Sequence, residues 1–128
     1  MAAMKLSAKA SEAVEFLEHV LRDCDQLARE VEEFAAAKKN ADIYSTQIAR
    51  QLSQIRQRAM IKSLPFVADA AGGLSVQASR GASQATKTRA MREGLVAFRS
   101  LVERTIKQTT TADEADRAER KAAGEAGH

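Results

Sequence analysis

The sequence predicts an all-α fold, an antiparallel up-and-down helical bundle of three long helices plus one short irregular helix, ending in a disordered or frayed C-terminal tail. Three observations predict it. Apolar residues recur at alternating spacings of three and four along most of the chain. The apolar share is rich in Ala, with no Trp and only Phe16, Phe34, Tyr44, Phe66 and Phe98 as aromatics. A sheet would draw more on aromatic and β-branched side chains. The one proline, Pro65, and the clustered glycines, Gly72-Gly73 and Gly81, fall together in the middle of the chain. At 128 residues the chain suffices for one hydrophobic core without staples. The bundle domain is expected over 1–110 and a flexible charged tail over 111–128.

The first helix carries the clearest signal. Ala10, Val14, Leu17, Leu21, Cys24, Ala28, Val31 and Ala35 follow an unbroken heptad seam. A second column, Ala13, Val20, Leu27 and Phe34, runs beside it every seven residues and widens the apolar stripe. Ser7 or Ser11 is placed to cap the start, and Asn40 to stop the helix. The second helix is expected from about Asp42 to Ser63 on Ala41, Ser45, Ile48, Leu52, Ile55 and Ala59. Pro65 turns Leu64 away from helical angles and suits the first turn of the short third helix. That helix carries Val67, Ala70, Ala71 and Leu74, and each glycine of Gly72-Gly73 weakens it by roughly 1 kcal/mol relative to Ala. Residues 75–88 read as a connector or a poorly anchored helical stretch, with the last helix beginning near Ser83–Lys87. The last helix is expected to end near Gln108, with a seam of Met91, Leu95, Phe98, Val102 and Thr105. Beyond Thr111 no large apolar side chain is left, which predicts a disordered or solvent-exposed helical tail.

Charge is distributed unevenly. Residues 1–42 hold six Lys/Arg against nine Asp/Glu; residues 43–110 hold eleven against three; residues 111–128 hold three against five. An acidic first helix is therefore expected to lie against basic neighbours.

No catalytic or metal-ligating pattern emerges, so no enzymatic activity, no cofactor and no metal are expected. Cys24 has no partner for an intrachain disulfide and sits on the seam, where a thiol acts as a small apolar residue. No apolar run approaches the roughly 18 residues of a membrane span, and no export signal opens the chain, so a cytoplasmic location is expected. Lys5 and Lys9 in an acid-free N-terminus keep a transit peptide as an alternative. His19 falls on the outward face of the first helix. A short four-helix chain with an outward histidine resembles, in architecture alone, bacterial histidine-phosphotransfer domains, which implies a phosphoacceptor at His19. Their His-x-x-Lys-Gly setting is absent: Val20, Leu21, Arg22 and Asp23 follow here.

The function expected is a non-catalytic interaction or regulatory module that binds a protein partner or itself through the long first helix. Val20, Leu27 and Phe34 are the candidate contacts, because the neighbouring helices are too short to cover all of it. The alternative is binding of nucleic acid or another polyanion through the 50–107 segment, with Arg56, Arg58, Arg80, Lys87, Arg89 and Arg92 as contacts. Stacking aromatics and a short helix-turn-helix are both missing from that segment.

Overall fold

The structure, a computed structural model, describes residues 6–126, with side chains through 124. Lys5 in the targeting stretch and the last two residues of the tail lie outside the described residues. Four helices make an all-α bundle: α1 (Ala8–Ala36), α2 (Ala41–Ile61), α3 (Pro65–Ser79) and α4 (Gln84–Ala126). Short connections reverse the chain three times. α1 packs chiefly on α4 and α2 chiefly on α3, while α1–α2 and α3–α4 contacts close the ring.

Each turn has a local cause. Ser7 caps α1 by accepting a hydrogen bond from the Ala10 N–H at 3.2 Å. α1 stops at Ala36, earlier than Asn40. Its last carbonyls are capped from another helix: Gln84 Nε2 donates to the carbonyls of Phe34 at 2.6 Å and Ala37 at 2.8 Å. Asn40 takes the left-handed conformation ahead of α2. At the end of α2, Leu64 N–H donates to Ala59 O and Ser63 N–H to Met60 O. That is a Schellman ending with left-handed Ser63 where glycine is usual. Pro65 then opens α3, as its fixed φ favours.

Residues 75–79 belong to α3 and only 80–83 connect it to α4, so of the two readings of this stretch the helical one holds on both sides of a four-residue connection. Gly72-Gly73 does not make α3 irregular. Burial of Val67, Ala68, Ala71, Leu74 and Ala78 on one side holds it helical against the propensity cost. Ser75 Oγ also donates to Ala49 O at 2.8 Å and pins α3 to α2. The two interfaces of α3 are unusually close where glycines sit. The Arg56 stem lies over Gly72, its Cδ 3.0 Å from where a Cβ would be, and Leu74 occupies the space a Cβ would need on Gly94 of α4.

The core shows which columns of α1 matter. Leu17, Cys24 and Val31 are buried together with Val20, Leu27 and Phe34, while Val14, Leu21 and Ala35 are half-buried and Ala28 is exposed. The expectation that Val20, Leu27 and Phe34 form an open interaction face is therefore corrected: they are 1%, 0% and 3% exposed. Both pairs of columns share the 3–4 spacing, and the bundle buries the pair with the larger side chains. The seams of α2 and α4 lie where the spacing put them, with Ile48, Leu52, Ile55, Met91, Phe98 and Val102 all at or below 3% exposure. Ser45 and Thr88 are buried too, their hydroxyls donating to the carbonyls of Asp42 and Gln84.

α4 also removes the expected overhang of α1. At 43 residues it is the longest helix and runs the full length of α1 and beyond. Asp113 Oδ2 accepts from the Ser7 N–H at 3.0 Å, tying α4 to the start of α1. Residues 114–126 continue past that point as a helical extension, exposed through Gly124 apart from half-buried Arg117, the helical form of the expected tail. The boundary drawn at 110 falls inside this helix. Ala-rich sequence and the i,i+4 pairs Asp113–Arg117 (3.4 Å) and Asp116–Arg120 (3.2 Å) favour its continuation.

The Ser7 hydrogen bonds hold the Asp113 carboxyl below the ordinary carboxylate range. A carboxyl lowered in this way stabilises the folded state above its unfolded pKa of about 3.9, and the contribution is lost as pH falls through the folded value. Asp113→Asn should thus lower the Tm at pH 6, and the gap from wild type should narrow steadily as pH falls below about 3.9. Thermal melts across that range check this; a Tm gap independent of pH would contradict it.

Candidate interaction surface

The basic block does not gather into one face. Arg92 Nε donates to Glu32 Oε2 at 2.7 Å, Arg99 is paired with Asp25, and Lys62 Nζ lies 4.0 Å from Glu12. The acidic α1 is thus laced to the basic α4 and to the end of α2. The Glu32 carboxyl is held low by its hydrogen bond from Arg92. Arg56 is laid across Gly72 and Arg58 is exposed near the end of α2. Arg80, Lys87 and Arg89 lie at the opposite end, around the start of α4. Lys87 is further engaged, its Nζ 5.8 Å from the centre of the Phe34 ring. The structure brings Arg80, Lys87, Arg89 and Arg92 to one end and leaves Arg56 and Arg58 at the other.

The candidate groups for chemistry are equally separate. His19 is exposed on α1, with Arg22 Nη2 3.4 Å from its Nδ1 and Asp23 Oδ1 3.9 Å from its Nε2. Cys24 is buried, and burial pushes its thiol up to about 11, against the opposing pull of Arg99. At neutral pH it carries no thiolate to act as nucleophile or ligand. Among the described residues no group of three His, Cys, Asp or Glu side chains is placed to hold a metal ion. No described helix is long and apolar enough to cross a membrane.

The surface feature that stands out is the corner between α2 and α3. Ile61 is 80% exposed, Phe66 78% and Met60 56%, all within seven residues. The Schellman turn and Pro65 cause this, because they reverse the chain in three residues and leave both flanking side chains outside the bundle. Single exposed apolar residues such as Ile43 or Val96 are ordinary on a protein surface, but three at one corner are a patch. The corner opens onto a recess of about 900 Å³. Ile61, Lys62 and Leu64 form one side, Lys9 and Ala13 of α1 another, and Ala112, Asp116 and Arg120 of α4 the third. Sequence periodicity passed over the corner because Met60, Ile61 and Phe66 belong to no seam. The continuous run Met60-Ile61-Lys62-Ser63-Leu64-Pro65-Phe66 across a predicted turn was the available signal, since turns are ordinarily polar.

A smaller groove of about 480 Å³ runs between α1 and α4. Ala28, Leu95 and Val96 line it, and the Asp25–Arg99 and Glu32–Arg92 pairs rim it. This groove is what remains open of the apolar stripe on α1.

Compared with protein-family models, with curated proteins and with solved structures, the chain has no match to any of them.

Proposed function

We propose that the protein is a non-catalytic interaction module that binds a protein partner through the α2–α3 corner. The observation that carries this reading is the exposure of Ile61, which lines a recess, together with that of Phe66 just past the turn. Covering two or three large apolar side chains supplies roughly 1.5–3 kcal/mol each, the scale of an interface anchor. Binding of a polyanion is less well supported, since Arg92 and Arg99 are engaged by α1 carboxylates and the remaining bases divide between two ends. The reading moves the docking surface away from Val20, Leu27 and Phe34, which the core uses.

A photoreactive amino acid in place of Phe66 tests it. In cells it should give one discrete protein adduct, lost in an Ile61→Asp background, while the same probe at exposed Glu18 on α1 gives none. Equal labelling at both positions, or none at 66, would sink the reading.

A further inference from the structure

We infer that the partner at the corner lies along the outward face of α3 as an amphipathic helix whose apolar stripe is flanked by acidic residues. This rests on the corner reading and extends it, because Phe66 belongs to both surfaces. Phe66, Asp69, Gly73, Val76 and Gln77 are all exposed, on the side of α3 turned away from buried Val67, Ala71, Leu74 and Ala78. Val76 is 52% exposed, and Asp69 is the only charged residue in the helix. The solvated side of a bundle helix is ordinarily charged and polar, so this face is one the chain leaves unpartnered.

Gly73 shows what shape the face takes. Gly72 and Gly94 each have a cause within the chain, the Arg56 stem over one and Leu74 against the other. Nothing lies within 4 Å of a Cβ built on Gly73, so the single chain supplies no reason for a residue that weakens a helix there. An exposed glycine in the middle of an apolar face lets another backbone approach closely. Beside it a groove of about 390 Å³ runs between α3 and α4, with Ala70, Gly73 and Gln77 on one side and Gly94, Ala97 and Arg104 on the other. A helix crossing at Gly73 sets its own ridge of side chains into that groove.

The charges around the face select an acidic helix. Residues 41–80 hold Arg50, Arg56, Arg58, Lys62 and Arg80 against Asp42 and Asp69. Of these bases only Lys62 has a carboxylate within ion-pairing distance among the described residues. Three arginines border the face itself: Arg56 over Gly72 on the α2 flank, Arg104 in the groove on the α4 flank, and Arg80 at the C-terminal end. Asp69 is the one acid on it; Asp42 stands at the start of α2, and Glu93 lines a recess with Ala35 instead. Carboxylates on both sides of an apolar stripe meet these arginines, and such rim charges set selectivity and association rate. The α3 face of a second copy brings the same excess of arginines. A polyanion without an apolar side leaves Phe66, Val76 and the approach at Gly73 unused.

The test joins a binding assay on the full chain to cross-linking in cells. The probe is a synthetic helical peptide with an Ala/Leu stripe flanked by Glu, and its twin carries Lys at every Glu position. Fluorescence anisotropy should show the Glu peptide bound at least tenfold more tightly than the Lys twin, and more weakly as salt rises. Gly73→Gln favours the helix but blocks the close approach; it and R80E/R104E should each weaken binding at least tenfold. Circular dichroism verifies that both variants are folded. In cells, a photoreactive residue at position 76 should give the same adduct as at 66, joined to an acidic helical segment. Equal binding of the two peptides, indifference to either variant, or an oligonucleotide bound more tightly than the Glu peptide overturns the acidic helix. An adduct at 66 without one at 76, or an adduct that is a second copy of the chain, overturns it but leaves the corner as a docking surface. Adducts at neither position remove both.

Discussion

Leu27→Ala is expected to destabilise the fold by about 3 kcal/mol, lowering the Tm on the order of 10 °C. Leu27 is fully buried and belongs to the core cluster with Val31, Leu95 and Phe98. Truncation removes the transfer free energy of the side chain and leaves a cavity that rigid neighbours on α4 fill only in part. The comparison that gives the result meaning is Phe66→Ala. Phe66 is four-fifths exposed, and its loss should change stability by no more than about 0.5 kcal/mol. Urea unfolding followed by circular dichroism reads both variants. If Leu27 belonged to an open interaction face, the two would behave alike; a Leu27→Ala midpoint equal to wild type would refute the core assignment.

Gly73→Ala and Gly94→Ala should move stability in opposite directions, although both place a methyl group in a helix interior. At Gly73 nothing lies within 4 Å of the new Cβ, so the substitution gains helix propensity and should stabilise by about 1 kcal/mol. At Gly94 the same gain is set against Leu74, whose Cδ2 already occupies the site and which is itself buried. Overpacking of that kind costs about 1–3 kcal/mol, which leaves Gly94→Ala destabilised by about 1 kcal/mol. The two variants should differ by about 2 kcal/mol in urea unfolding. Equal effects would mean that α3 and α4 do not approach as closely at Gly94 as the structure places them. A Gly94→Ala/Leu74→Ala double variant should recover part of the clash and show the coupling between the two positions.

The helices themselves were legible in residue order. The seams of α2 and α4 were read correctly from spacings of three and four, and Pro65 marked the sharp corner. The failures share one physical origin: each depended on a partner distant in sequence. Periodicity on α1 named the apolar columns but not which of them face inward, because that depends on what α4 presents. Gly72-Gly73 read as a weak point until α2 was seen to cover it with the Arg56 stem and the Ser75 bond. Gly94 drew no notice, since a lone glycine in a helix says nothing about the Leu74 that packs into it.

What the sequence by itself determined was the all-α class, the turn at Pro65 and the contrast between an acidic α1 and a basic remainder. Those properties are local, set by backbone propensity and side-chain order over a few turns. Only the tertiary structure decided that Val20, Leu27 and Phe34 belong to the core, that Arg92 and Arg99 are engaged by α1, and that α4 outruns α1. It also decided that Ile61 and Phe66 have no cover within the chain. Burial is a relation between surfaces brought together by folding, and no single stretch of sequence contains both sides of it.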